Sequence, residues 1–331
     1  MEKVRVAIVG MGNMGRGHSM DMVKIEEAEL VAMCDANPEA CESFKKEKGI
    51  DCLVYSDFYK MIEEIELDAV YICLPPFCHD GQVEAAAAKK IAVFIEKPIA
   101  LDVVRGEAMK KAVEENGIVS QVGYQMRFGN ATERFVELLK SGKAGRPTLF
   151  TANYECNSLH GPWWRDKEKC GGQVFEQVIH LYDMAQYLMG PATAVSGHVA
   201  NLCHQDVPGY TVEDTSVANM TFASGALGCI TGSNCAIKEQ WNGKYRVICQ
   251  NLVADFTDHN HGVITYTDEH EGSVEIIDGK NDVTLMEDQY FIDAVLGKHE
   301  PFATIPEGFA DLKLVASVVT SSENEGKVVA V

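Results

Sequence analysis

Three glycines near the amino terminus have the spacing of a phosphate-binding turn. Gly10, Gly12 and Gly15 form G-x-G-x-x-G directly after the apolar residues 4–10. In such a motif the first glycine permits a tight turn, the second lets the backbone approach a pyrophosphate, and the third lets helix and strand pack closely. Glycines also serve ordinary turns, but the position between a strand and a helix favours a dinucleotide site. The residues of the predicted site are Gly10, Met11, Gly12, Asn13, Met14 and Gly15.

An acidic residue follows at the distance that such a site requires. Asp35 ends a second apolar run, twenty residues after Gly15. A carboxylate there accepts hydrogen bonds from the ribose hydroxyls of NAD and repels the 2′-phosphate of NADP. No lysine or arginine follows within nine residues to attract that phosphate. The alternative is a turn carboxylate before Asn37 and Pro38, but the combined pattern predicts NAD as the cofactor.

A lysine follows another predicted strand. Lys97 stands between Glu96 and Pro98, at the end of the strand predicted over 91–96. Hydride transfer at a carbonyl carbon needs a cation or donor near the developing alkoxide, and a group that moves a proton. Open α/β sheets bind ligands at the carboxyl ends of their strands, so Lys97 is a candidate for that cation. The alternative is a surface lysine beside a strand-ending proline.

A polar stripe runs along the mostly apolar helix predicted over 172–189. Gln173, Glu176, His180 and Asp183 follow one another at spacings of three, four and three, which places them on one face. Buried polar groups need partners, so this stripe predicts a site or a polar network rather than plain core. We expect Glu176 and His180 to act in proton transfer, whereas Asp183 either orients His180 or belongs to a structural network.

Glu176 and His180 also have the spacing of two metal ligands on a helix. A zinc site needs a third or fourth ligand, and the loose candidates His160 and His204 have no telling spacing. We therefore expect no metal site.

The segments that carry these residues form two patterns. Over the first 123 residues, strands alternate with helices, which predicts a doubly wound parallel sheet, the Rossmann fold. The predicted strands are 4–10, 29–35, 52–55, 68–76, 91–96 and 118–123, and the helices run from the glycine turn to about 28 and over 38–48, 80–90 and 102–116. Residues 1–123 are the predicted NAD-binding domain.

After residue 123 the pattern changes to period-two alternation between helices. We expect a second, α+β domain over 124–331 with an open, mostly antiparallel sheet. Its predicted elements are helices 130–141, 172–189, 284–297 and 306–323, an alternating segment at 147–156, a polar loop at 158–170 and hairpins over 192–277.

Composition restricts the function classes. The 331 residues carry a net charge of −20, which disfavours nucleic acid and anionic membrane surfaces as partners. No targeting or membrane-spanning segment is visible in the sequence. Eleven cysteines without a C-x-x-C pair fit a reducing compartment, so we expect a cytoplasmic protein.

Three further motifs resemble one family. They are Glu96-Lys97-Pro98, the segment 124–128 (YQMRF), and G-G-x-x-x-E-x-x-x-H-x-x-D over 171–183. With the glycine motif, the chain resembles the glucose–fructose oxidoreductase, inositol dehydrogenase and MocA (Gfo/Idh/MocA) family over essentially its whole length. The resemblance implies a two-domain enzyme with the nicotinamide at the sheet edge under the second domain. It also implies hydride transfer to or from a CH–OH or C=O carbon of a sugar, inositol or related polyol. Most relatives carry Asp where this chain has Glu176.

The resemblance also implies roles for individual residues. Lys97 would hydrogen-bond the reacting oxygen, and His180 would donate or accept the proton. Further cofactor contacts are implied for Leu74, Pro75, His79, Glu96, Lys97, Gln125, Trp164 and Arg165, and substrate contacts for Lys97, Arg127, Tyr154, Asn157, Glu176, His180 and Tyr290. Alternatives stand for some of them: Trp164 and Arg165 as loop anchors, His79 as a helix-surface residue, and Tyr290 as a packing residue.

Two other functions are alternatives to a net dehydrogenase. Some relatives oxidise a sugar transiently to eliminate a glycosidic group, and the same residues would serve that reaction. A cofactor-sensing regulator would use the fold without needing Lys97 and His180. We also expect a homodimer or homotetramer that pairs through the second-domain sheet.

Overall fold

The computed structural model describes residues 3–268 and 272–331. Within this range the chain forms two compact units. The first contains residues up to Tyr124 together with Thr284–Phe309, and the second contains Gln125–Val283 and Ala310–Val331. No helix in the described range is long and apolar enough to cross a bilayer.

The first unit is built on a parallel sheet of six strands in the order β3-β2-β1-β4-β5-β6. The strands are β1 (Val4–Val9), β2 (Ala28–Cys34), β3 (Leu53–Tyr55), β4 (Ala69–Ile72), β5 (Ala92–Ile95) and β6 (Ser120–Val122). The helices between them are α1 (Asn13–Lys24), α2 (Pro38–Lys48), α3 (Phe58–Glu64), α4 (Gln82–Ala88) and α5 (Val103–Asn116). β4 and β5 are buried at every position, as continuous apolar runs in a parallel sheet require. The predicted Rossmann fold is confirmed.

A helix distant in sequence completes the core of the first unit. Phe291 of α9 (Val283–Val295) contacts the stacked rings of Tyr71 and Phe94 edge-on, at centroid distances of 5.4 and 5.7 Å. Phe291 and Ile292 belong to the same buried cluster as β1 and β4. Thr284–Phe309 therefore groups with the amino-terminal unit, although the sequence pattern had assigned all of 124–331 to the second domain. Nothing in local periodicity indicates which sheet an apolar helix covers.

The second unit is built on a sheet of nine strands in the order β14-β13-β12-β11-β7-β10-β9-β8-β15. Among the described strand pairs of this sheet, only β7–β10 is parallel, so the predicted open, mostly antiparallel sheet is confirmed. The strands are β7 (Pro147–Glu155), β8 (Ala192–Ala200), β9 (Thr215–Phe222), β10 (Leu227–Ser233), β11 (Asn242–Cys249), β12 (Leu252–Phe256), β13 (His261–Tyr266), β14 (Val274–Asp278) and β15 (Val329–Ala330). Burial alternates strictly along β9, because one face of the sheet covers the core.

The helical segments of this unit differ in detail from the sequence pattern. They are α6 (Asn130–Lys140), α7 (Lys167–Cys170), α8 (Ile179–Met189) and α10 (Ile305–Glu323), whose first turn belongs to the first unit. The helix predicted over 172–189 is divided, since Val174–Val178 form a π-helix that leads into α8. Two short helices were not predicted, α7 in this unit and α3 in the first unit. Asp57 and Asp166 begin them by accepting backbone hydrogen bonds from Lys60 and Glu168.

Candidate active site

The glycine motif forms a turn that only glycine can complete at two positions. Gly10 has φ of +91°, and a Cβ there would lie 2.6 Å from the carbonyl oxygen of Cys73. A Cβ on Gly15 would lie 1.9 Å from the carbonyl oxygen of Gly10. By contrast, a Cβ on Gly12 would meet no heavy atom of the described residues within 4 Å. The turn is thus closed on the protein side and open at its middle glycine, where a pyrophosphate needs room.

The helix that follows presents its first amides to this open side. α1 begins at Asn13, and its N-cap, Gly12, offers no side chain to occupy the backbone N–H groups. Its first turn has no acidic residue, and Asn13 and Met14 are exposed. The partial positive charge at a helix start favours bound phosphate. These residues therefore fit a dinucleotide, while the side chain of Met11 packs into the core and contributes only its backbone.

Asp35 holds the same turn from the end of β2. Its Oδ2 accepts the N–H of Met11 at 2.7 Å, and its Oδ1 accepts the N–H of Asn37 at 2.8 Å. The carboxylate is thus fixed beside the turn; its bond with Asn37 is the one expected of the turn-carboxylate alternative, and its contact with the ribose stays a prediction. Arg16, which the sequence analysis missed, donates from Nε to the carbonyl oxygen of Met11 at 3.1 Å. A cation on the first turn of α1 is a second polar group beside the glycine turn.

Two loops at the carboxyl edge of the parallel sheet are connected by a buried histidine. His79 is 6% exposed, and its ring nitrogens lie 2.8 Å from the carbonyl oxygen of Ile99 and 3.0 Å from that of Leu74. Burial lowers the pKa of His79, and the hydrogen bonds with the two carbonyl oxygens oppose this effect. The helix-surface alternative for His79 is wrong, because the residue ties the loop after β4 to the loop after β5. Leu74 also packs near Gly10, whereas Pro75 is half-buried.

Glu96 and Lys97 follow β5 at this edge. The Lys97–Pro98 peptide bond is cis, and the Lys97 side chain is half-buried. Glu96 is 6% exposed, and its Oε1 accepts a hydrogen bond from His18 Nε2 at 3.0 Å. A Cβ on Gly123 would lie 3.0 Å from this carboxylate, so only glycine leaves Glu96 its place. Glu96 is thus held by the protein interior, and the sequence analysis had not anticipated its partner.

In the second unit, the predicted polar stripe has several separate partners. Glu176 Oε2 accepts the indole N–H of Trp164. Gln173 donates to Gln177 Oε1 at 3.4 Å, and His180 is 7% exposed. The π-helix changes the angular spacing of these side chains, which a regular helix would have kept on one line.

Arg127, a predicted substrate contact, lies in a buried ion pair. Its guanidinium is buried, and Nε lies 3.0 and 3.1 Å from the carboxylate oxygens of Asp183. The guanidinium also stacks on Tyr187, with its carbon 4.6 Å from the ring centroid. A bidentate, buried pair is typical of a structural network, which is the second of the two alternatives for Asp183, and a substrate contact for Arg127 stays a prediction.

The loop predicted at 158–170 is held by the two residues that resemblance assigned to the cofactor. Trp164 is 3% exposed and packs in a cluster with Cys170, Tyr210 and Val212. Arg165 donates to the carbonyl oxygens of Leu159 and His160 at 2.7 and 3.0 Å. These contacts are those of the loop-anchor alternative, and a cofactor contact for either residue stays a prediction.

The remaining candidates fall into different surroundings. Burial raises the pKa of Tyr154, and the charges of Cys156 and Glu176 raise it further, so Tyr154 belongs to the polar surroundings of Glu176. Asn157 donates to the carbonyl oxygen of Ala236 at 3.0 Å, which makes it a loop contact. Gln125 begins a 3₁₀ turn, Gln125–Phe128, and is half-buried.

Tyr290 follows its packing alternative. Its ring lies 3.7 Å from that of His299 and 5.4 Å from that of Phe302, measured between centroids. Its hydroxyl donates to the carbonyl oxygen of Glu300 at 3.2 Å. The predicted substrate contact of Tyr290 has no support in these interactions.

Two groups of potential metal ligands occur in the described range, and neither contains Glu176 or His180. The ligand atoms of Cys203, Asp214 and Cys235, and those of His18, Glu96 and Glu287, lie within 4.8 Å of one another. Asp214 already accepts hydrogen bonds from three backbone amides, His204 and Thr215. Both ring nitrogens of His18 likewise face carboxylates. Lone pairs used in this way are not available to a metal ion.

Comparison with known proteins agrees with this geometry. Residues 4–124 match the oxidoreductase family with an NAD-binding Rossmann fold, and residues 132–253 match the GFO/IDH/MocA C-terminal domain. The chain belongs to the GFO/IDH/MocA family. NAD is accordingly the cofactor, and the protein is an oxidoreductase.

Several characterised members of the family are similar to this chain. It is 30% identical to the NAD(+)-dependent scyllo-inositol 2-dehydrogenase of Bacillus subtilis (strain 168), over 70% of this chain and 67% of that protein. It is 27% identical to the myo-inositol 2-dehydrogenase of Thermotoga maritima, over 75% of this chain and 76% of the relative. A levoglucosan dehydrogenase solved with NADH and levoglucosan has the same fold, with a TM-score of 0.90, 20% identity and complete coverage of both chains.

Proposed function

We propose that this family member is an NAD-dependent dehydrogenase that acts on a CH–OH or C=O carbon of a sugar, an inositol or a related polyol. The observation that carries the proposal is the convergence of functional groups at one edge of the parallel sheet. The glycine turn follows β1, Asp35 follows β2, and Lys97 follows β5. His79 fixes the loops after β4 and β5 to each other. The similarity to inositol dehydrogenases supports the substrate class.

The chain's own residues supply binding and proton chemistry. Gly12 leaves room for the pyrophosphate, the first amides of α1 bind it, and Asp35 accepts from the ribose hydroxyls. When bound, NAD supplies the hydride acceptor or donor. The Lys97 ammonium donates a hydrogen bond to the reacting oxygen and stabilises negative charge there. His180 takes the hydroxyl proton in oxidation or returns it in reduction.

Glu176 is the candidate carboxylate for substrate binding in the second unit. Its carboxylate accepts a hydrogen bond from the indole N–H of Trp164, and burial and the charge of this carboxylate raise the pKa of Tyr154. We propose that Glu176 and Tyr154 bind substrate hydroxyls, since a carboxylate accepts hydrogen bonds from hydroxyls and a phenol can donate or accept them. The additional methylene of Glu relative to the Asp of most relatives lengthens the reach of this carboxylate to the Trp164 indole.

The function is tested by a screen of sugars, inositols and their keto forms with NAD⁺ and NADH, followed at 340 nm. We expect a net absorbance change with at least one polyol. NADH should also raise the melting temperature more than NADPH does, because Asp35 repels a 2′-phosphate. Product formation from a glycoside without net absorbance change would favour the redox-assisted elimination instead.

The role of Lys97 is tested by Lys97→Met with Lys97→Arg as the matched control. Lys97→Met keeps an unbranched side chain of nearly the same length and removes the charge, so turnover should fall by at least about 100-fold while NADH binding persists. Lys97→Arg keeps the charge and should retain measurable turnover. Full activity in Lys97→Met would end the proposed role.

We further propose that the protein is a homodimer or homotetramer that pairs through the nine-stranded sheet. Leu227 is 53% exposed on β10, beside the half-buried Leu149 of β7, and Val217 is 40% exposed on β9. Exposed apolar side chains on neighbouring strands of one sheet face suit a second copy of the same surface. Light scattering on the wild type and on Leu227→Asp tests this, and a monomeric wild type would refute it. The eleven unpaired cysteines support a reducing, cytoplasmic location.

A further inference from the structure

A histidine without a role in the proposed reaction is enclosed in the first unit. His18 lies on the second turn of α1 and is fully buried. Its Nε2 lies 3.0 Å from Glu96 Oε1, and its Nδ1 lies 2.9 Å from both carboxylate oxygens of Asp288. Both carboxylates are acceptors, so both ring nitrogens are required as donors. An imidazole satisfies both only in its cationic form.

The charges around His18 favour that cationic form. Acidic groups lie around it directly after β5 (Glu96) and on α9 (Asp288 and Glu287), and Cys73 directly follows β4. Asp21 of α1 acts in turn on both acids of α9. Burial alone lowers the pKa of His18, but the charge of Asp288 and the hydrogen bonds of both carboxylates outweigh it, so that the pKa is raised well above its ordinary value. Tyr71 and Phe94 cover the ring and exclude water.

The two neighbouring acids of α9 differ in their protonation. Burial raises the pKa of Asp288 to about 6 against the opposing effect of His18, so Asp288 is a carboxylate at neutral pH. Burial and the charge of Glu96 raise the pKa of Glu287 well above its ordinary value. Glu287 therefore retains its proton, and its Oε2 has no hydrogen-bond partner among the described residues. The enclosed charges are those of His18, Glu96 and Asp288.

We propose that the His18 imidazolium, held by Asp288, is a positioning residue that fixes Glu96 and thereby the backbone that presents Lys97. The inference rests on the proposed role of Lys97. Glu96 is the residue directly before Lys97, and its side chain is enclosed by His18 and the Gly123 backbone. His18 stands three residues after Gly15, on the helix whose start forms the dinucleotide site. One buried cation thus joins the helix that binds cofactor phosphates to the strand end that carries the candidate catalytic lysine, with α9 as its anchor.

Removing the Asp288 charge should make this support dependent on pH. In Asp288→Asn, His18 loses its neighbouring anion, so its pKa falls by about one to three units. Above that lowered pKa a neutral imidazole has one N–H, and it can no longer donate to Glu96 and to residue 288 together. We expect the alkaline limb of kcat to move to lower pH by about one to three units, with KM for NAD⁺ within about twofold.

Glu287→Gln is the matched control. It replaces an uncharged acid by an uncharged amide of the same shape, one residue away on the same helix. We expect its pH profile to coincide with that of the wild type. An Asp288→Asn profile that coincides with the Glu287→Gln profile would overturn the positioning role.

A second measurement reads the charge of His18 directly and does not need turnover. Imidazole ¹⁵N shifts of the full-length wild type, with the His18 signal assigned by its loss in His18→Gln, should show both nitrogens protonated up to at least pH 8. A neutral His18 at pH 7 would overturn the proposal even if Asp288→Asn fails to fold. Retained turnover in Lys97→Met would instead defeat the proposed function and leave the ¹⁵N result standing.

Discussion

The assignment of Arg127 to structure rather than to substrate leads to a quantitative prediction. Arg127 and Asp183 form a bidentate pair in which both side chains are at most 2% exposed. Asp311 lies in the same surroundings, and burial together with the charge of Asp183 raises its pKa well above its ordinary value, while Arg127 opposes this. Arg127 is therefore the cation that neutralises Asp183 inside the second unit, and the perturbation is Arg127→Met, which keeps the stem and removes the charge.

The expected cost follows from leaving a carboxylate buried without its partner. Removing one member of a buried ion pair costs about 3–5 kcal/mol, because the remaining charge keeps its desolvation penalty. For a unit of this size each kcal/mol lowers the melting temperature by about 2–4 °C, so a decrease of roughly 6–20 °C is expected. Asp183→Asn should cost less in the Arg127→Met background than in the wild type, since the buried carboxylate is then already uncompensated.

Thermal unfolding of the two single variants and the double variant tests this account. NADH affinity and KM are measured at a temperature where every variant is folded. We expect the loss in stability, the coupling between the two sites, and KM values close to the wild type. A stable Arg127→Met protein with a strongly raised KM would show that Arg127 binds substrate after all, and the buried-pair interpretation would be wrong.

Three further outcomes are expected. Asp35→Ser removes the charged acceptor that also holds the Met11 amide, so NAD⁺ affinity should fall roughly 10- to 100-fold; titration with unchanged affinity would contradict the assigned site. Trp164→Phe keeps an aromatic ring and removes the N–H donor to Glu176, so the free energy of unfolding should fall by about 1–3 kcal/mol with unchanged NADH affinity. Weakened NADH binding would instead reveal a cofactor contact. The pKa of Glu287 is raised well above its ordinary value of 4.5 in the folded protein, so the stability of the wild type should decrease as the pH rises above 4.5. Glu287→Gln lacks this dependence, so its stability advantage over the wild type should grow with pH in denaturant titrations. An advantage that stays constant with pH would mean that Glu287 is ionised in the fold.

The sequence was most informative where one residue type has one structural use. Gly10 and Gly15 are required by contacts that no side chain permits, so their spacing predicted the turn correctly. The continuous apolar runs of β4 and β5 likewise allow few alternatives to a strand buried on both faces. Local patterns of this kind predicted the parallel sheet.

The sequence was least informative about partners that are distant along the chain. Asp288 lies 270 residues from His18, and no periodicity connects them. The sequence also did not indicate that a π-helix divides the helix predicted over 172–189, because the side chains of Val174–Val178 suit either helix type. Arg127 was assigned to substrate for the same reason: its neutralising partner, Asp183, is on another helix.

The buried charges of the two units explain why these polar residues cannot be assigned by type alone. In each unit a cation is enclosed by carboxylates, His18 with Glu96 and Asp288 in the first, Arg127 with Asp183 in the second. Such groups cost stability unless every partner is present, so they persist where they determine a unique arrangement or support a function. His18 contacts the residue that precedes Lys97, whereas Arg127 contacts Asp183 and Tyr187 of the second unit. Burial of a charge therefore does not by itself indicate function; the element that the charge holds in place decides it.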